Sequence, residues 1–250
     1  MPEGTEFERE VRDYWDADAA TYDDSPGHAP HALAELAVWA GILRRLLPPP
    51  PARVLDAGAG TGFLSLLLAR EGYRVTALDL APGMLAQLRT KAERRGFSVE
   101  IVEANAADPP RGDFDAVVER HLLWTMPDPR AALEAWREAA PSGTLVLFES
   151  VWGAAAGPEE RLRARARLLL RRLRSQGSDH HAEYDTELRS ELPLGTGTSP
   201  ELLAALVEST SWGPARIERL RDVEWASREA LATVVDRLVG VSPRFAVIAG

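Results

Sequence analysis

The run Val54 to Phe63, VLDAGAGTGF, limits what this chain can fold into more than any other stretch, because it sets glycine at 58, 60 and 62 directly after a short apolar run. Glycine at every second position permits a tight turn and lets a ligand touch the backbone. Such a turn between a strand and a helix is the ligand-binding corner of doubly wound α/β folds. Three ligand classes use corners of this kind. A P-loop needs four residues between its glycines and then Gly-Lys-Ser/Thr, but no lysine lies near, the sole lysine being Lys91. A dinucleotide fingerprint needs its third glycine where Phe63 stands. What remains is Asp-x-Gly-x-Gly-x-Gly, beginning at Asp56, with Asp79 ending the next strand. A carboxylate there can accept both hydroxyls of a ribose, so the ligand expected is a nucleoside without a phosphate chain.

The remainder of the chain supplies the α/β rhythm this corner requires. Residues 6 to 24 and 30 to 47 read as helices, the second ending before the prolines at 48 to 51. Then follow strand ARVLDAG, helix Phe63 to Arg70, strand YRVTALDL, helix Pro82 to Arg95, strand FSVEIVEA, strand FDAVVER, helix Pro129 to Ala139 and strand TLVLFESV. Strands that alternate with helices and are nearly continuously apolar imply a parallel sheet covered on both faces. After Trp152 the rhythm breaks. Residues 158 to 176 read as an amphipathic helix with Leu162, Ala166, Leu169, Leu170 and Leu173 on one side and arginines around the rest. A polar stretch leads to helix Ser199 to Ser209, strand ARIERLRDVEW, a helix near Ser227 to Val239 and strand RFAVIAG. The expected organisation is a single domain over 1–250: a helical cap at 1–47, a ligand-binding core at 52–150, an inserted cap at 153–198, and the rest of the sheet at 199–250.

Composition closes off several function classes. The chain has no cysteine, which removes disulfides, thiolate metal sites and a cysteine nucleophile. A formal net charge of −9 argues against a nucleic-acid partner, since neutralising phosphates calls for a basic face. The acidic start MPEGTEFERE does not read as a secretory leader, and no run reaches the roughly 18 apolar residues of a membrane span. A cytoplasmic protein with no membrane partner is expected, its oligomeric state open, a homodimer included. The fourth strand offers only Glu119 as a hard ligand, so no metal site is expected.

Between 50 and 150 the chain resembles the class I S-adenosylmethionine-dependent methyltransferases. The resemblance is carried by VLDAGAGTG (54–62), VTALDLAPGML (75–85), EANAADPP (103–110), FDAVVERHLLWTMPDP (114–129) and PSGTLVLFE (141–149), and YWDADAATYD near the start adds to it. It implies a Rossmann-like seven-stranded sheet ordered 3-2-1-4-5-7-6 with an antiparallel last strand. It also implies S-adenosylmethionine as cofactor and S-adenosylhomocysteine as product. In this sequence Gly58, Gly60 and Gly62 would approach the methionine part, with Asp56 supporting the loop. Asp79 would bind the ribose, and Leu80 and Met84 would flank the adenine. Asn105 and the Ala106 backbone would contact its amino group, and Glu119 with Arg120 would line the methionine side. Tyr14 and Tyr22 of the N-terminal segment would close over the cofactor.

The chemistry asked of such a site is mainly to hold a nucleophile in line with the S-methyl bond and to keep water out. Only a group acting on the nucleophile can favour the transition state selectively, and His121, His31 and Tyr22 are the candidate bases. Glu119-Arg120-His121-Leu122 stands where the base-methylating nucleic-acid enzymes of the superfamily carry Asn/Asp-Pro-Pro-Tyr/Phe, which favours a small-molecule acceptor. Its N, O or C nucleophile is left open. The alternatives are a cyclase or isomerase that retains the cofactor's methyl group, or a binding module without chemistry.

Overall fold

The structure is a computed structural model that describes residues 6–24, 28–29, 32–174, 189, 192–231 and 233–250. Its centre is a seven-stranded sheet in the order β3-β2-β1-β4-β5-β7-β6. The strands are β1 (Arg53–Ala57), β2 (Arg74–Asp79), β3 (Glu100–Glu103), β4 (Ala116–Arg120), β5 (Thr144–Ser150), β6 (Ala215–Arg219) and β7 (Arg244–Ala249). All run parallel except β7, which pairs antiparallel with both β5 and β6. This is the order, with its antiparallel last strand, that the resemblance implied.

Alternate residues of the central strands feed two separate cores, as the two-residue strand period requires. Leu55, Val117, Leu145, Leu147, Phe245 and Val247 face one side, where Leu133 and Trp136 of α5 (Pro129–Ala139) and Leu203 of α7 (Pro200–Glu208) cover them. Val54, Val75, Val118, Val146 and Phe148 face the other, beneath Trp39 and Leu43 of α2 (Leu33–Leu46) and Leu64 and Leu68 of α3 (Phe63–Arg70). Helix ends follow local chemistry. The Asp128 side chain accepts from Ala131 N and Pro129 opens α5, while α4 (Pro82–Arg95) starts on proline and stops at Gly96 in the left-handed region.

Helices α3 and α5 leave β1 and β4 toward opposite faces, so the C-terminal ends of these neighbouring strands part. That is the topological switch point at which open α/β sheets bind ligands. Helix α1 (Glu6–Asp18) and a 3-10 turn at Tyr22–Asp24 lie across it.

The C-terminal part differs from the strand and helix expected there. ARIERLRDVEW is not one strand: β6 ends at Arg219, and Arg221–Glu229 is helix α8, followed by α9 (Val234–Val239) in place of one helix near 227–239. Leu220, Val223 and Ala226 are buried at a three-residue spacing against α2, while Trp225 is 59% exposed, so the helical period outweighs the V-E-W alternation. The arginine-rich helix α6 spans Pro158–Arg174; residues 175–188, with His180 and His181, lie outside the described residues.

Candidate functional site

The three glycines of the β1–α3 turn have φ of 69°, 53° and 93° at 58, 60 and 62, the left-handed region in which an L side chain is strained. Gly58 N and Ala59 N both donate to Leu78 O, at 2.8 and 2.9 Å, fastening the turn to β2. Gly60 N donates to Asp79 Oδ2 at 2.7 Å, and Ala81 N donates to Asp79 Oδ1 at 2.9 Å. Burial pushes the Asp79 carboxyl above its usual range, and these backbone donors pull it back. The glycines do different work. A Cβ on Gly62 would lie 2.3 Å from Leu88 Cδ1, so this residue lets α3 and α4 pack closely; a Cβ on Gly60 would meet nothing within 4 Å. Beneath the turn, buried Asp56 accepts from Ser65 Oγ, and desolvation lifts its carboxyl to about 7.

Gly58, Gly60 and Asp79 form one wall of a cavity of about 610 Å³, a size usual for small-molecule sites. Leu80, Met84, Asn105 and Ala106 form a second wall, and Phe7, Val11, Trp15 and Tyr22 a roof. Arg120, His121, Leu122, Met126 and Leu192 close the far side. Of the residues singled out in the sequence, Tyr22, Gly58, Gly60, Asp79, Leu80, Met84, Asn105, Ala106 and His121 therefore meet around one space. Gly62, Asp56, Glu119 and Tyr14 are not among its walls. His31 lies outside the described residues.

Glu119 sits behind the site. It is fully buried, and its Oε2 accepts from Leu122 N at 2.8 Å and Leu123 N at 3.3 Å, shaping the turn after β4. Burial, with Glu149 adding to it, raises its carboxyl well above the usual range. Trp15, with Phe7 and Val11 at four-residue spacing along α1, lines the roof, while Tyr14 stands edge-on against the Trp15 ring and does not reach the cavity wall. That spacing was present in the sequence and would have found Phe7 and Val11. Asn105 is occupied locally: Ala107 N donates to its Oδ1 at 2.9 Å and its Nδ2 donates to Glu8 Oε1.

The roof is tied down by polar contacts. Asp16 Oδ1 accepts from Gly83 N at 2.6 Å, and Asp23 Oδ1 accepts from Thr61 Oγ1 at 2.6 Å. Lys91 pairs with Asp23 and also donates to Thr61 O at 2.9 Å, bracing the Tyr22 segment against the glycine turn. Tyr22 packs edge-on to Trp15, 5.9 Å between centroids, and burial raises its phenol above the ordinary value, with Arg120 opposing.

His121, immediately after β4, has φ 60° and half-faces the cavity. Its Nδ1 lies 2.9 Å from Glu149 Oε2 and its Nε2 2.9 Å from Arg244 Nη1. Burial, then Arg120 and Arg244, hold its basicity well below an ordinary histidine's. Burial pushes Glu149 up to about 8, against the pull of Arg120 and Arg244. Among the described residues no cluster of three or more His, Asp or Glu is placed to hold a metal, and no helix is long and apolar enough to cross a membrane.

Comparison with known proteins places this geometry in context. Residues 55–147 match the family described as a methyltransferase domain. A ubiquinone biosynthesis O-methyltransferase of Xanthomonas campestris pv. campestris (strain B100) is 39% identical over 139 residues, covering 54% of each chain. A demethylmenaquinone methyltransferase of Thermus thermophilus is 44% identical over 108 residues, 41% of this chain and 49% of the relative. The chain thus spans about half the length of the curated relatives it matches. Phosphoethanolamine N-methyltransferase 2 of Haemonchus contortus, solved with S-adenosyl-L-methionine, superposes with a TM-score of 0.63 at 15% identity, over 98% of this chain and 60% of that one. That likeness is one of fold.

Proposed function

We propose, from the premise that this chain belongs to the class I S-adenosylmethionine-dependent methyltransferase superfamily, that it transfers a methyl group from S-adenosylmethionine to a small-molecule acceptor. The observation that carries the reading is the Asp79 carboxylate at the cavity wall, held by Gly60 N and Ala81 N with acceptor capacity left over. Gly60 supports it independently: its missing Cβ leaves open space at the wall, the kind of cradle a ligand's close approach requires. We assign the ribose to Asp79, the adenine to the Leu80 and Met84 side with the Ala106 backbone, and the methionine part to Gly58 and Gly60. Asp56, Gly62 and Glu119 act indirectly, by fixing the two turns, and Tyr14 through Trp15, whose ring it meets at 5.0 Å. When bound, the cofactor supplies a methyl group already made electrophilic by its sulfonium.

The chain's own contribution is to hold the acceptor in line, shed water and avoid favouring the ground-state cation. Phe7, Val11, Trp15, Leu122 and Met126 give the cavity apolar walls suited to an aromatic acceptor. His121 and Leu122 stand on its far side and position the acceptor. The two curated relatives are named for ubiquinone biosynthesis O-methylation and for demethylmenaquinone, so hydroxylated aromatics and quinols are the acceptors to try first. Calorimetric titration with S-adenosylmethionine, S-adenosylhomocysteine and NAD tests the cofactor. Mass spectrometry of acceptor mixtures tests transfer. S-adenosylhomocysteine formed together with a product one methyl heavier supports the proposal; an isomerised product with the cofactor unconsumed refutes it.

A further inference from the structure

Among the described residues His121 is the only non-glycine residue with a positive φ. A backbone in that region is strained and persists only where its surroundings over-determine it. Two neighbouring strands do so here. On β5, Phe148 O accepts from His121 N at 3.2 Å and Glu149 Oε2 meets the ring at Nδ1; on β7, Arg244 meets it at Nε2. The strand register sets Arg244 opposite Ser150, next to Glu149, so the three side chains converge from β4, β5 and β7.

The protonation pattern follows from the donors. A guanidinium has only N–H groups to offer, so Nε2 must be the acceptor and its lone pair is already used. The ring proton then sits on Nδ1 and is donated to Glu149 Oε2, which also accepts from Ser150 N at 3.3 Å. Oε2 is an acceptor whether or not a proton resides on the other oxygen of Glu149. A second ring proton would set an N–H against the Arg244 N–H and add a third cation beside Arg120 and Arg244. The surrounding carboxylates compensate the arginines: Glu224 accepts from Arg244 N at 2.8 Å, Glu35 acts on both guanidiniums from α2, and Glu119 faces Glu149.

We propose that Arg244 is a positioning residue which, with Glu149, locks His121 as the neutral Nδ1–H tautomer, so that His121 offers the acceptor a fixed, uncharged ring and takes no proton from it. The role of that ring opposite an acceptor rests on the methyl-transfer reading; the lock itself does not. It restricts what the histidine can do for an acceptor to packing and orientation. The acceptors served by this wall are those whose nucleophile needs no proton removed by His121, such as an enol or phenol already ionised at neutral pH.

The test is the ring itself. In the full chain with ¹⁵N-labelled histidine, long-range ¹H–¹⁵N correlation spectra are recorded from pH 5.5 to 9, with His121 identified by the signals lost in His121→Gln. The expected result is a protonated Nδ1 and an Nε2 that stays unprotonated across the range, with the ring responding only through a small Nδ1 shift near pH 8 as Glu149 ionises. Arg244→Met removes the donor and one cation, so a protonation step should enter the range, its apparent pKa raised by about one unit or more. Arg244→Gln keeps an N–H donor and should preserve the Nδ1–H tautomer. An Nε2–H tautomer, a wild-type titration near the ordinary value of about 6.5, or an Arg244→Met spectrum identical to wild type overturns the proposal. Should Arg244→Met fail to fold, the wild-type tautomer decides the matter. No cofactor enters this measurement, so a failure to bind S-adenosylmethionine in the calorimeter would defeat the methyl-transfer reading separately.

Discussion

Asp79 and Gly60 meet at 2.7 Å across the corner between β1 and β2, the carboxylate of one strand end receiving the backbone N–H of the neighbouring turn. The contact couples the ribose acceptor to the turn that would cradle the methionine part. Asp79→Ala should therefore weaken S-adenosylmethionine binding by roughly 2 to 4 kcal/mol, taking hydrogen bonds to a charged group at about 1.5 to 3 kcal/mol each without full additivity. Asp79→Asn keeps a carbonyl acceptor and should fall between. Calorimetric titration measures both, and an unchanged affinity in Asp79→Ala would move the ribose elsewhere.

Two glycines of the turn separate folding from binding. Both sit at positive φ, where an alanine costs roughly 1 to 2 kcal/mol. Gly62→Ala additionally drives a Cβ toward Leu88 Cδ1, and overpacking of that kind typically costs about 1 to 3 kcal/mol. Gly60→Ala finds open space at the cavity wall instead. Thermal melts should rank Gly62→Ala as the less stable variant, whereas cofactor titration should show the greater loss in Gly60→Ala. The reverse ranking in both measurements would mean that the cofactor does not approach the turn at Gly60.

Why these contacts were legible only in part follows from their range in the chain. The glycine turn, Asp79 and the helix bounds of α3, α4 and α5 are written in local spacing, caps and periodicity, which a sequence displays directly. The Glu149, His121 and Arg244 convergence is not local: its members come from three strands and meet only through the β5–β7 register. Nothing about a histidine after a strand tells which nitrogen is already engaged. The misread strand at 220–225 failed for a related reason. Val223 and Trp225 alternate like strand residues, and only the packing of Leu220, Val223 and Ala226 against α2 reveals the helical period. Trp15 displaced Tyr14 from the roof because α1's orientation over the sheet is fixed by Asp16 and Gly83, residues 67 apart in sequence.

Asp56 makes the fold sensitive to pH. Its carboxyl, lifted by burial to about 7, stands above the ordinary aspartate value of 3.8, so between those values the folded chain keeps a proton that the unfolded chain has lost. Stability from this group is greatest below the unfolded pKa and declines as pH rises toward 7. Glu149, raised from 4.5 to about 8, acts in the same direction. Asp56→Asn removes one of these ionisations while retaining an acceptor for Ser65. Its stability relative to wild type should improve by about 2 to 3 kcal/mol between pH 5 and pH 8, at 1.36 kcal/mol per pKa unit. Urea unfolding at the two pH values tests this, and parallel pH dependences for the two proteins would count against it.

Tyr22 is expected to act through its ring. Burial raises its phenol, the opposite of what a base near neutral pH needs, while the ring packs against Trp15 and lies 4.2 Å from the His28 ring. The segment is anchored by its neighbour Asp23 through Thr61 and Lys91, so the ring can stay in place without the hydroxyl. Tyr22→Phe should then keep cofactor affinity within a few-fold and leave any pH–rate profile without a lost inflection. Tyr22→Ala opens the roof and should cost roughly 2 to 4 kcal/mol, combining lost apolar burial with loosened packing between aromatic rings. Cofactor titration on both variants distinguishes ring from hydroxyl, and a Phe variant as impaired as the Ala variant would return the phenol to the chemistry.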